Sequence, residues 1–179
     1  MIQKCSIWLV AAPFFHSPMK GWGLLELCRE SKLAHTSVKN HLITLKQYGI
    51  ISEYKEKKGG REYPVYKAEQ NTIQFRNHKV IYNLAELLES GLISYIKDTI
   101  MPRSIILFGS YHKGEDIEDS DIDIFVEAEK ADTNVSKFEK ILKRRIQLHF
   151  KTKFKEYPKE LKNNIINGTT LYGYLEAFE

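Results

Sequence analysis

The sequence predicts an α+β protein in two parts, a basic helix-turn-helix with a β-hairpin followed by a small α/β domain with a mixed sheet. Three observations predict it. Residues 23–49 carry two apolar stripes at helical spacing, separated by a short break near residues 31–34. Two strand-like runs, residues 50–55 and 63–67, flank Lys57-Lys58-Gly59-Gly60-Arg61, and Gly-Gly between such runs is a hairpin signal. Two further apolar runs, residues 105–108 and 122–126, bracket a Gly-Ser step and a pair of alternate aspartates. The expected organisation is a first domain over 1–70, a connecting helix over 71–100 and a second domain over 101–179.

Taken in order, Leu24, Leu25, Leu27 and Cys28 give the first helix its stripe. Thr36 or Ser37 is the expected N-cap of the second helix, whose apolar positions are Val38, Leu42, Ile43 and Leu45. Gly49 is the expected residue just past its end. Residues 72–98 read as one long apolar-faced helix, or two broken near Gly91. That face either packs on its own domains or forms a homodimer surface. A strand follows Pro102. Residues 134–143 and 158–166 are helix candidates, and residues 145–150 (RIQLHF) a strand.

Composition bounds the function classes. The 179 residues are 42% hydrophobic and 12% aromatic, which indicates globular structure. The net charge of +4 is uneven. Residues 1–79 hold 13 Lys+Arg against 6 Asp+Glu, and residues 80–179 hold 14 against 17. A basic first part suits nucleic acid, and an acidic second part suits a divalent cation. The apolar run over residues 7–15 is interrupted by Pro13 and is too short to span a membrane. A cytoplasmic protein with no membrane partner is expected. Cys5 and Cys28 have no CxxC partner and are expected to be buried thiols. The six histidines show no metal-ligand spacing such as HExxH.

The chemistry concentrates in residues 106–127. Alternate residues of a strand share a face, so Asp121 and Asp123 set two carboxylates side by side. Mg²⁺ is commonly held by one or two carboxylates together with the phosphates of a nucleotide. Gly109 and Ser110, at the end of the preceding strand, can bring backbone N–H groups and a hydroxyl to those phosphates. His112, beside them, is a further candidate for phosphate contact.

This pattern, G-S-x10-D-x-D over Gly109, Ser110, Asp121 and Asp123, resembles the signature of the DNA polymerase β-like nucleotidyltransferase superfamily, in particular its minimal members. The tail NNIINGTTLYGYLE at residues 163–176 is similar to their closing segment. The resemblance implies that Gly109 and Ser110 bind the nucleotide and that Asp121 and Asp123 are the catalytic residues holding Mg²⁺. It implies transfer of an NMP group from an NTP, with ATP expected, to an acceptor hydroxyl. Active members usually carry a third carboxylate on a later strand. Here that position falls on Gln147, or on His149 with the register shifted by two. Gln cannot act as a base, so whether the domain is an enzyme stays open at this point. The alternative is a non-catalytic transcription regulator or antitoxin-like protein whose degenerate domain binds a nucleotide or a protein partner.

The first part, AHTSVKNHLITLKQYGIISEYKEKKGGREYPVY, resembles the winged helix-turn-helix family. The resemblance implies duplex DNA as a partner, with the second helix in the major groove. Its exposed face offers His35, Thr36, Ser37, Lys39, Asn40 and Lys46, where Asn can read adenine edges and Lys and Thr mostly hold phosphates. The wing would add Lys57, Lys58 and Arg61. The competing role for such a fold is a protein contact.

Overall fold

The structure, a computed structural model, describes residues 5–152, 154 and 157–176, with the side chain of Lys58 outside the described set. The chain divides into two compact units, Met1–Tyr82 and Asn83–Glu179.

The first unit opens with α1 (Ser6–His16), which the sequence reading treated only as an apolar run. Val10, Ala11, Phe14 and Phe15 fall on one helical face and are buried, so the run is a core helix. β1 (Trp22–Gly23) leads directly into α2 (Leu24–Ser31), which ends at Lys32 in the left-handed region. α3 spans His35–Gln47. Its N-cap is Ala34, which corrects the expected Thr36 or Ser37. The Val38 N–H already bonds the Ala34 carbonyl at 3.1 Å, so the helix closes earlier and both hydroxyl residues lie inside its first turn. Gly49 has φ +67° and terminates α3 as expected. β2 (Ile51–Lys58) and β3 (Arg61–Ala68) form the hairpin, and β1 adds to β3, giving an antiparallel sheet of order β1-β3-β2. Gly59 and Gly60 both take positive φ, the backbone that a two-residue hairpin turn needs to match strand twist. Val38, Leu42 and Leu45 of α3 pack with Trp22, Ile50, Ile51 and Tyr66. Both cysteines are free; Cys5 is exposed just before α1 and Cys28 only half-buried, so neither is the fully buried thiol expected.

α4 (Ile73–Glu89) supplies Phe75 and Tyr82 to the core of the first unit and Leu87 to that of the second. Gly91, at φ +79°, separates it from α5 (Leu92–Ile100). Ile73, Ile81 and Leu88 of α4 stay largely exposed.

The second unit is built on a mixed sheet of β4 (Ser104–Phe108), β5 (Ile122–Glu127), β6 (Ile146–Lys151) and β7 (Thr169–Gly173), in the order β6-β5-β4-β7. β5 and β6 are parallel; the other pairs are antiparallel. Helices α6 (Gly109–Lys113), α7 (Ser136–Leu142) and α8 (Lys159–Ile166) connect them. Strand alternation separates two cores. Ile105, Leu107, Ile122, Ile124, Val126 and Ile146 pack with α5 and α7, whereas Ile106, Phe108 and Phe125 pack with Phe154, Tyr157 and Ile165. Among the described residues no helix is long and apolar enough to cross a membrane.

Candidate functional site

The site forms at one end of the strands of the β6-β5-β4-β7 sheet, at its two central strands β4 and β5. β4 runs up to it and ends at Phe108; β5 and β6 start from it. Phe108 stands opposite Asp123, and Asp123 opposite Gln147. Asp121 lies one residue before β5, on the same side as Asp123 and away from the buried Ile122 and Ile124. Gly109 and Ser110, expected as a turn, open the short α6 instead. Gly109 has φ +81°, and a Cβ built there would come 2.5 Å from Asp123 Oδ2. Only glycine lets the chain leave β4 in that conformation with the carboxylate so close.

Both aspartates are engaged. The Gln147 Nε2 amide donates to Asp121 Oδ2. The His149 Nε2–H donates to Asp123 Oδ1 at 3.1 Å, with the imidazole against the Phe108 ring. Ile146, Leu148 and Phe150 turn to the core, which leaves Gln147 and His149 facing the carboxylates. Position 147, where the third acid was sought, therefore lies within direct reach of Asp121. Among the described residues no group of three or more His, Cys, Asp or Glu side chains is arranged to hold a metal ion. His112 Nδ1 shares a 3.0 Å hydrogen bond with the Thr169 hydroxyl on β7.

The loop between α6 and β5 is held by a buried polar cluster that sequence reading missed. Asp116 accepts from Asn83 Nδ2 at 2.9 Å and from Arg144 Nη2 at 3.0 Å, with both charged side chains almost fully buried. Arg144 Nη1 also donates to the Ile117 carbonyl, and Asn83 Nδ2 to the Tyr111 carbonyl. Burial, with the Glu86 and Asp116 carboxylates nearby, pushes the Tyr111 phenol well above its ordinary range. The hydrogen-bond partners lie 27 to 33 residues apart, so no local signal marked them.

In the first unit, Thr36, Lys39 and Asn40 are exposed on α3, and Ser37 is half-buried. Lys57 and Arg61 are exposed at the hairpin, and the Lys58 side chain lies outside the described residues. Lys46, also expected on the exposed face, is paired with Glu53 at 2.5 Å.

Residues 91–176 match the family model described as Polymerase beta, Nucleotidyltransferase. No curated protein matches the chain. Among solved structures, a protein of Methanosarcina mazei Go1 described as a possible transcriptional regulator is similar at 21% identity, over 52% of this chain and 85% of that one, with a TM-score of 0.36. The C-terminal part is thus similar to that nucleotidyltransferase model over residues 91–176, and its mixed sheet with helices agrees with the α+β fold class expected.

Proposed function

We propose that the chain is a DNA-binding protein with a minimal nucleotidyltransferase domain, which binds an NTP with Mg²⁺ and transfers its NMP group to an acceptor hydroxyl. The observation that carries the reading is the strand alignment that seats Gly109 against the Asp123 carboxylate, with Asp121 beside it at the same end of the strands. The donor set fits Mg²⁺. It offers two carboxylates at an accessible strand end, which is enough when substrate phosphates complete the coordination, and no third acid for a second ion. Bound there, Mg²⁺ would neutralise charge that develops on the transferring phosphoryl group.

The residues divide the remaining work. Gly109 N–H and the Ser110 hydroxyl hold the leaving phosphates. Asp121 and Asp123 would hold the ion, which would supply charge neutralisation at the reacting phosphate. The acceptor oxygen bonds to the α-phosphorus, the bond to the bridging oxygen breaks, and pyrophosphate leaves with the electron pair. Gln147 has no basic site and His149 Nε2–H is directed at Asp123, so the hydroxyl proton passes to water. Transfer without a protein base is slow.

A second reading has a specific observation in its favour. Gln147 bonds Asp121, and by the family resemblance it falls where an acid is expected, which suits a regulator that binds a nucleotide or a partner protein without chemistry. In either reading α2, α3 and the β2–β3 hairpin act as a winged helix-turn-helix on duplex DNA, supported by the exposed Thr36, Lys39, Asn40, Lys57 and Arg61. The exposed Ile73, Ile81 and Leu88 are consistent with a homodimer through α4. Calorimetry tests the shared premise: wild type binds Mg-ATP or another Mg-NTP, and Asp121→Asn/Asp123→Asn loses the Mg²⁺-dependent part. Absence of NTP binding by the wild type at millimolar ligand rejects it. Transfer of label from NTP to partner fractions then separates enzyme from sensor.

A further inference from the structure

Beside Asp121 lies a cavity of about 690 Å³, lined by Glu118, Asp119, Asp121, Lys140, Lys143 and Arg145 among others. That is within the roughly 300–1,000 Å³ range of small-molecule sites. Its place follows from the sheet order. β5, with Asp123 and Asp121 before it, lies between β4 on one side and β6 on the other. Gly109 and Ser110 continue from β4. Lys143 and Arg145 lead into β6, and the cavity is on that side. In phosphoryl transfer the attacking and leaving oxygens are roughly in line across phosphorus. With the leaving phosphates on Gly109 and Ser110, an in-line nucleophile approaches from the β6 side, where this cavity opens beside Asp121.

The cavity is polarised. One wall, from the loop before β5, carries Glu118, Asp119 and Asp121; the other, from α7 and the turn after it, carries Lys140, Lys143 and Arg145. Two further charged lining groups are already engaged. Arg144 is paired with Asp116, and the Glu139 carboxylate accepts from the Ile146 N–H at 3.0 Å. The side chains of Lys140, Lys143 and Arg145 make no hydrogen bond or ion pair among the described residues. A substrate that spans the cavity thus presents a hydroxyl to the acidic wall and an anion to the basic one. Three convergent cations, one a guanidinium fork, suit a phosphate better than a single carboxylate. We infer that the cavity is the acceptor site and that the acceptor is a hydroxyl compound carrying a phosphate; this rests on the transferase reading above.

The test is direct binding, without NTP, of ribose 5-phosphate, of a short single-stranded oligonucleotide with a free 3′ hydroxyl, and of ribose as the uncharged control. It compares wild type, Lys140→Ala/Lys143→Ala/Arg145→Ala and the single Lys143→Glu, all at exposed positions. The expected result is that at least one phosphate-bearing probe binds the wild type, ribose does not, and both variants bind that probe at least about tenfold more weakly, a change of about 1.4 kcal/mol. Which probe binds distinguishes a small phosphate ester from a nucleic-acid end. Mg-NTP affinity stays within about twofold in both variants. Equal probe binding by wild type and variants overturns the inference. So does failure of both phosphate probes, capture of a glutamate-rich peptide in their place, or an equal loss of Mg-NTP binding in the variants. Failure of the underlying reading shows separately, as Mg-NTP binding indifferent to Asp121→Asn/Asp123→Asn.

Discussion

Gly109→Ala tests the geometry of the site without requiring activity, because Gly91→Ala provides a matched control. Both glycines lie in the second unit with nearly equal positive φ, +81° and +79°. At Gly91 a Cβ meets nothing within 4 Å, so alanine costs only the left-handed backbone, about 1–2 kcal/mol. At Gly109 the same Cβ comes 2.5 Å from Asp123 Oδ2 and 3.3 Å from Asp123 Cβ and Cγ. Overpacking of that kind adds about 1–3 kcal/mol unless the carboxylate moves. If it moves, the stability cost shrinks, but Asp123 leaves the position proposed for ion and nucleotide binding. Thermal melts and Mg-NTP calorimetry read the two outcomes together. Each kcal/mol lowers Tm by about 4–8 °C for a domain of this size. Gly109→Ala should either melt clearly below Gly91→Ala or bind Mg-NTP at least about tenfold more weakly, whereas Gly91→Ala binds like wild type. If the two variants melt together and Gly109→Ala binds normally, the contact between Gly109 and Asp123 is not as described.

Four further outcomes are expected. Gln147→Asp should raise NTP-dependent label transfer, or create it, by up to the roughly 10²–10⁴-fold that a general base contributes; a fast wild type unaffected by the change refutes the assignment, with Asp123→Asn as the blank. Arg144→Met leaves Asp116 buried without its cation and should cost about 3–5 kcal/mol by urea denaturation, with part recovered in Asp116→Asn/Arg144→Met; a loss well under 1 kcal/mol contradicts the buried pair. Duplex DNA binding should weaken as salt rises, and replacing Lys57, Lys58 and Arg61 by Ala should flatten that slope; a gel shift with no complex at low salt removes DNA from the partners. Burial pushes the Tyr157 phenol up to about 12; because the folded value is the higher one, its contribution to stability is complete below about pH 10 and is lost as pH rises from 10 towards 12, and Tyr157→Phe should flatten alkaline melts over that window.

Legibility in the sequence tracked how local the cause was. The Gly59-Gly60 hairpin, the end of α3 at Gly49 and the break at Gly91 were readable because each is a backbone requirement met by one residue type. The Asp121 and Asp123 pair and the facing of Gln147 followed from strand alternation. α1 was missed because Pro13 and uniform apolarity disguised its burying face. β1 was missed because two residues carry no period, and β7 because its polar-apolar mix was read only by family likeness. The α3 start was placed too late because Thr36 and Ser37 are good caps, whereas the tight connection from α2 fixed the cap at Ala34. The Asn83–Asp116–Arg144 cluster and the cations around the Asp121 cavity depend on tertiary proximity alone.

The Gln147 amide and the His149 imidazole each donate a hydrogen bond to one of the two aspartates. Three acids crowded at one strand end would repel one another and would be relieved only by a cation. Here an amide and an imidazole take the place of a third acid, so Asp121 and Asp123 are held by internal hydrogen bonds. In the proposed role, a bare cation gains only carboxylate oxygens, whereas a cation arriving on a nucleotide brings phosphate ligands of its own. On the proposed function, the site therefore takes its ion and its nucleotide together, as one ligand.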